Sequence, residues 1–331
     1  MQDWTKLLKL MTNTVSIVVY HYVREIKKSR FPGIKGLETS LFKEQVAFLR
    51  KNYKLITMED LIDAIESQSK LPENSAILTF DDSYSDHFSQ VFPILKKWGI
   101  QGSFYIPSQM ITENRVLNVN KIHFILALSS NKREIIKKIF EEVDKIRREI
   151  PLPDSDSLFQ MHAIPHLNDC GEIMLIKRML QKVIPQPYRN QLIDELFRDS
   201  VRMDEESFSK ELYMSKDQLE YMASSGMHLG NHTYSHPWLN LLSRKEQEEE
   251  ISKCSQFLSS IGVSENNKTM CYPHGGYNSD TIEVIKSMGF KLALTVSPGV
   301  ARVNSNNAFE LSRIDTNDIT TEKFFPRNQK N

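Results

Sequence analysis

Apolar and polar positions follow two rhythms along this chain, and the changes between them outline the fold. The runs Val15-Ser16-Ile17-Val18-Val19-Tyr20 and Ile77-Leu78-Thr79-Phe80 are nearly continuous in apolar or β-branched residues. Runs of that kind predict strands buried on both faces. Between them, Pro32, Gly33 and Gly36 stand among charges and predict a loop over 25–39. Ser40 predicts the cap of a helix over 41–52, with Leu41, Val46, Phe48 and Leu49 as its apolar positions. Thr57 predicts a second N-cap, with Asp60 at the third helical position facing the orphan amides and the helix running to about Ser67. A helix is expected over 83–98, broken by Gly99-Ile100-Gln101-Gly102, and then a strand over 103–107.

From about residue 116 to 213 the rhythm becomes helical, rich in Lys, Glu, Ile and Leu. Helices are expected near 119–129, 132–149, 171–183 and 187–201, punctuated by prolines, with 161–165 too ambiguous to assign. Strand signals return at 226–232, 269–273, 291–296 and 309–314. Helices are expected from Ser215 to Ser225, Ser243 to Leu258 and Ser279 to Gly289, and the polar tail from Asp315 should pack loosely. Strands that alternate with helices predict an α/β class with a parallel sheet or barrel inside. The helical stretch reads as an insertion within one domain spanning 1–331.

The chain is 40% hydrophobic and 25% charged with zero formal net charge, as a globular protein should be. No long basic run exists, which argues against nucleic acid as a partner. Cys170, Cys254 and Cys271 are odd in number and widely spaced, so they suggest no disulfide framework and fit a reducing compartment. Val15 to Tyr20, behind Lys6 and Lys9, is too short for a signal-peptide core or a transmembrane segment. A cytoplasmic location is therefore expected.

The chemistry gathers at strand ends. Ile77 to Phe80 runs straight into Asp81 and Asp82, two carboxylates that repel each other unless something neutralises them. His232 and His236, four residues apart, follow another strand and would share one face of a helical turn. Two imidazoles and a carboxylate form an open site for a hydrolytic metal, and a cation would relieve the Asp-Asp repulsion.

Thr79-Phe80-Asp81-Asp82, His232 to His236, and Tyr272-Pro273-His274-Gly275, in this order, resemble the first three motifs of the polysaccharide deacetylases, carbohydrate esterase family 4. The resemblance covers roughly Val15 to Asp315 apart from the insertion. It implies a distorted (β/α) barrel of about seven strands. It also implies hydrolytic removal of an acetyl group from an N-acetylated amino sugar in a glycan or glycan precursor. Carried over by position, Asp82, His232 and His236 would hold a divalent metal ion, zinc by expectation. Asp81 would be the general base, and the His274 amide would meet the oxyanion.

Two departures stand out. The Arg that many relatives carry before the proline motif is replaced here by Met270 or Cys271, and no His follows Leu311-Ser312-Arg313-Ile314-Asp315. Arg313, with Asp315, is a candidate to replace part of that machinery, and His21 is the other candidate acid. Against these stand plainer readings: a structural His21–Arg24 pair, a packing role for the His274 ring, and structural roles for His123, His162, His166 and His228. Two rival functions remain open. One is a deformylase or cyclic-amide hydrolase on the same scaffold, with Leu294-Thr295-Val296 enclosing the acyl group. The other is a non-catalytic, metal-containing sugar-binding module.

Overall fold

The structure is a computed structural model that describes residues 13–166 and 169–316. Lys6, Lys9 and the tail beyond residue 316 lie outside the described residues. Contacts divide the chain into two compact units. The first comprises residues 1–25, 36–113 and 210–331, and the second comprises 26–35 and 114–209.

The first unit is a closed barrel of seven parallel strands. They are β1 (Thr14–Tyr20), β2 (Ser75–Asp81), β3 (Gly102–Ile106), β4 (His228–Asn231), β5 (Thr269–Cys271), β6 (Leu292–Pro298) and β7 (Leu311–Asp315). Neighbours in the chain are neighbours in the barrel. It closes because β1 pairs with both β2 (Val15↔Ser75 through Tyr20↔Phe80) and β7 (Val18↔Ile314). Closure leaves the barrel strands without a free edge over most of their length. Two short strands lie alongside: Ala301–Arg302, antiparallel to the start of β1, and Lys54–Leu55, parallel to the start of β2.

Side chains alternate across each strand, and that parity sorts the core. Val18, Tyr20, Leu78, Phe80, Phe104 and Ile314 face outward into one cluster with Phe42, Val46 and Leu49 of the helix Thr39–Asn52. There Tyr20, Phe80 and Phe104 stack in sequence, with ring centroids 5.1 and 4.7 Å apart. Each such ring buried contributes about 1.5–3 kcal/mol. Val15, Ile17, Ile77, Tyr105, Cys271, Leu294 and Leu311 belong to a second cluster, inside the barrel. The helix Met58–Glu66 packs Met58, Leu61, Ile62 and Ile65 into that same cluster at the N-terminal end. Thr57 and Asp60 close the expected capping box on this helix. By the same parity Thr79 and Asp81 on β2, and Arg313 on β7, point inward, Thr79 and Arg313 one pleat on from the interior residues Ile77 and Leu311 and Asp81 one pleat beyond Thr79.

Some elements differ from expectation. The helix Thr39–Asn52 starts ahead of Ser40, and its N-cap is Glu38, with no side-chain cap bond. The helix expected over 83–98 is a π-helical segment, His87–Val91, followed by an α-helix, Phe92–Lys97. Asp82 and Ser83 stand at φ of 74° and 55°, so the chain first makes a left-handed turn that a helix start there does not allow. Among the described residues, no helix is long and apolar enough to cross a membrane.

The second unit is helical, with Asn118–Leu128, Lys132–Ile146, Gly171–Arg178 and Tyr188–Val201 near their expected places. Ser155–His162, between the prolines, is a further helix that the sequence reading passed over. Phe31, from residues read as loop, packs edge-on against Phe124 and Phe208 in this unit. Lys121 is fully buried, and its ammonium is neutralised by Asp194 at 2.5 Å and Glu205 at 2.8 Å.

Candidate metal centre and active site

The chemistry lies at the C-terminal ends of the barrel strands, where a β/α barrel presents its loops. Asp81 is the last residue of β2 and is buried. Arg313 holds it in a bidentate pair, Nη1 to Oδ1 at 3.0 Å and Nη2 to Oδ2 at 2.8 Å. The guanidinium is itself fixed, because Nε donates to the Thr295 carbonyl at 2.9 Å and Nη1 approaches Thr79 Oγ1 at 3.4 Å. The Cys271 thiol stands 3.5 Å from Asp81 Oδ2. Burial pushes the Asp81 carboxyl up, but the charge on Arg313, helped by His232 and His21, outweighs it and holds the group at about 2. Asp81 is therefore ionised throughout the ordinary pH range. The His21 side chain, half exposed, brings Nε2 to 3.9 Å from Asp81 Oδ2. The plainer His21–Arg24 reading does not describe this geometry, since Arg24 pairs with Asp86 at 2.5 Å.

Asp82 leaves the barrel through the left-handed turn. Its Oδ2 accepts the Tyr84 hydroxyl at 2.7 Å. Its Oδ1 is buried with no hydrogen-bond partner, while His236 Nε2 lies 3.4 Å away and His232 Nε2 lies 3.6 Å away. The His232 Nδ1 is engaged by the Cys271 carbonyl at 2.7 Å, so its Nε2 is the nitrogen turned to Asp82. Burial pushes His236 down to about 3 and keeps its lone pair available. Burial also acts against a charged His232, but Cys271 and the nearby Asp82 carboxylate prevail and raise it.

The two histidines do not share a helical turn, contrary to expectation. Residues 232–238 form an irregular loop, with Thr233 at φ 67° and His236 at φ 60°. That double reversal folds the loop back and brings the two rings to 4.8 Å, centroid to centroid.

His274 stands at φ 56°, on the turn after Pro273. Its ring stacks on Trp238 at 4.7 Å and meets His236 edge-on at 4.4 Å, so the ring packs into the wall of the site. Gly275, at φ 69°, lies so close to Val296 that a Cβ would fall 2.3 Å from Val296 Cγ2. Val296 is itself exposed beside the site. Among the histidines read as structural, His228 is buried and bonds Thr269 Oγ1 at 2.8 Å.

Among the described residues, two groups of side chains have the spacing of metal ligands: Asp82, His232 and His236, and Asp81, His232 and Cys271. Hydrogen bonding separates them. Both Asp81 oxygens are taken by Arg313, whereas Asp82 Oδ1 is a buried acceptor with nothing to accept from. Such an orphaned carboxylate oxygen facing two imidazole nitrogens suits a divalent cation bound by two N and one O. Sequence reasoning had no signal for Tyr84, Trp238, the Cys271 thiol or the Thr295 carbonyl. Tyr84 does follow Asp82 by two residues, where a turn can bring its hydroxyl back.

A model of the family described as polysaccharide deacetylase matches residues 68–147 and 195–293, over half of the chain. A poly-beta-1,6-N-acetyl-D-glucosamine N-deacetylase of Escherichia coli (strain K12) is 35% identical over 83 residues, 25% of this chain and 12% of that protein. The chain thus spans well under two thirds of the curated relatives it matches, 32% and 12% of the first two. Among solved structures, a Streptococcus pyogenes deacetylase, PplD, in complex with acetate superposes with a TM-score of 0.55 at 16% identity, covering 91% of this chain and 92% of that one. IcaB from Ammonifex degensii superposes with a TM-score of 0.54 at 17% identity, covering 93% and 92%. The structural likenesses establish the barrel fold, and the family model, which spans the Asp-Asp strand end and both further motifs, His232–His236 and Tyr272–Gly275, shows that the chain belongs to the polysaccharide deacetylase family.

Proposed function

We propose that this protein is a metal-dependent deacetylase that hydrolyses the N-acetyl group of an amino sugar in a glycan or glycan precursor. The observation that carries the reading is the orphaned Asp82 Oδ1, buried and faced by His232 and His236, one residue from a carboxylate already neutralised by Arg313. The names of the relatives supply the substrate class: one acts on a β-1,6-linked N-acetylglucosamine polymer, and another is a deacetylase seen with acetate.

Asp82, His232 and His236 would hold the ion, with zinc the expected one. When bound, it would polarise the acetyl carbonyl and make a water nucleophilic near neutral pH. The rest falls to the chain. Asp81, kept ionised by Arg313, accepts a proton from the attacking water. A carboxyl held at about 2 releases that proton readily, and the His21 ring, 3.9 Å away, is positioned to take it on to the leaving amine. The left-handed His274 turn offers its amide to the developing oxyanion. Thr79, Thr295 and Cys271 hold the Arg313–Asp81 pair in one orientation. The absent Arg and the absent His are what favour a non-catalytic module; Arg313 reaching the base from β7 supports a replacement for the first, and His21 at 3.9 Å from Asp81 a replacement for the second.

The test is acetate release from N-acetylglucosamine oligomers, with formate release from an N-formyl analogue as the control for acyl choice. Zinc-loaded protein should release acetate, and Asp81→Asn should lose about 10²–10⁴-fold in kcat while still binding zinc. Metal-loaded wild type with no turnover on any acylated sugar would sink the enzyme reading. Zinc lost in Asp81→Asn would show the ligand and base roles exchanged.

A further inference from the structure

The loop carrying His232 and His236 is neither helix nor strand, yet each amide from His232 to His236 has an acceptor. His232 donates to the Ile106 carbonyl at 3.1 Å, Thr233 to Asn231 Oδ1 at 2.8 Å, and His236 to Thr233 Oγ1 at 3.0 Å. The remaining two, Tyr234 and Ser235, both donate to a single oxygen, Glu250 Oε2, at 3.1 and 2.8 Å. The other oxygen, Glu250 Oε1, accepts the Ser235 hydroxyl at 2.7 Å.

Glu250 stands on the helix Arg244–Ser260. The same helix fixes the foot of the loop, since Asn231 Nδ2 donates to the Ile251 carbonyl at 2.9 Å and to Ser255 Oγ at 3.0 Å. On the opposite side, Ser108 and Gln109 donate to the Thr233 and Tyr234 carbonyls at 3.2 and 2.9 Å. The loop is thus gripped from two sides: Ser108 and Gln109 hold the Thr233 and Tyr234 carbonyls, while one carboxylate holds the amides of Tyr234 and Ser235.

We propose that Glu250 is a positioning residue of the metal centre, setting the separation of the His232 and His236 nitrogens without touching the ion. This rests on the metal reading above. Left-handed Thr233 and His236 are both strained for non-glycine residues, so the loop does not hold this shape unaided. Three hydrogen bonds to a charged acceptor are stronger than neutral ones and supply the missing restraint. Without them the tip is free to relax toward ordinary backbone angles, and His236 moves off the line to Asp82 Oδ1.

The test compares wild type, Glu250→Ala and Glu250→Gln in two measurements. Zinc affinity is read by competition with a chromophoric chelator, and hydrogen exchange at the Tyr234 and Ser235 amides is read in metal-free protein. Glu250→Ala should bind zinc about 10–100-fold more weakly with its circular dichroism unchanged, and both amides should lose protection. Glu250→Gln should recover most of the lost affinity, because the glutamine oxygen accepts both amides while its NH₂ donates to the Ser235 hydroxyl. Wild-type zinc affinity in folded Glu250→Ala overturns the proposal. If that variant does not fold, exchange in wild type decides: unprotected Tyr234 and Ser235 amides in the metal-free protein overturn the tether. A wild type that binds no zinc but protects both amides sinks the metal reading and upholds the tether.

Discussion

At the scale of single residues, the site divides labour between two adjacent carboxylates by giving them different partners. Asp81 receives a guanidinium and Asp82 receives two imidazoles. The Arg313 pairing makes a prediction about pH. Folded Asp81 sits at about 2 against an ordinary 3.8, so it contributes stability that is fully present above about pH 4 and is lost as pH falls through 2. The contribution is about 2 kcal/mol. Arg313→Met leaves a buried carboxylate without a countercharge and should cost about 3–5 kcal/mol at pH 7. That cost should shrink as pH falls, beginning above the ordinary carboxylate range because burial raises Asp81 once Arg313 is gone, and continuing towards pH 2, where wild-type Asp81 is also protonated. Urea unfolding of both proteins across pH 2–7 checks this, and a cost independent of pH would assign Arg313 to packing instead. Asp81, Asp82, His232 and His236 were legible in the sequence because chemistry restricts which residues can bind metals or move protons. Arg313 was legible only as a candidate at a strand end, since its grip on a residue 232 positions away depends on barrel closure.

At the scale of elements, parity does most of the positioning. β2 places Ile77, Thr79 and Asp81 inside, and β7 places Leu311 and Arg313 inside, so along each strand the interior passes from an apolar residue to a charged one, through Thr79 on β2. The strands were readable as β-branched runs, and capping boxes such as Thr57–Asp60 as spaced pairs. The left-handed turns at Asp82 and at the His232 loop were not readable, because non-glycine residues adopt them only when tertiary bonds compensate the strain. β4 carries a further constraint. A Cβ at Gly230 would lie 2.4 Å from Tyr105 Cε1 and 2.7 Å from Thr269 Oγ1. Both neighbours are buried in the barrel and hydrogen-bonded to each other at 3.2 Å, so neither yields freely. Gly230→Ala should therefore destabilise by about 1–3 kcal/mol, and an unchanged thermal midpoint would count against this account.

At the scale of the molecule, every residue assigned to the site belongs to the barrel unit, although β3 and β4 are separated in sequence by the helices of the second unit. The proposed ligands come from two strand ends, β2 and β4, so an ion held there would tie together Asp82 and His232, about 150 residues apart, which the unfolded chain does not hold in register. Binding to the native state alone stabilises it by mass action, about 2.7 kcal/mol when free ion stands at 100 times its Kd. Removing the ion with a chelator should lower stability by that order, and re-addition of zinc should restore it. Variants sharpen the point, because the two carboxylates respond oppositely. In Asp82→Asn the chelator should make no difference, since the buried carboxylate oxygen that faces both imidazoles has been replaced by an amide group. In Asp81→Asn the full chelator effect should persist, since that side chain is committed to Arg313. Thermal unfolding with and without chelator measures both, and equal chelator effects in the two variants would show that the carboxylates share the ion rather than dividing the work.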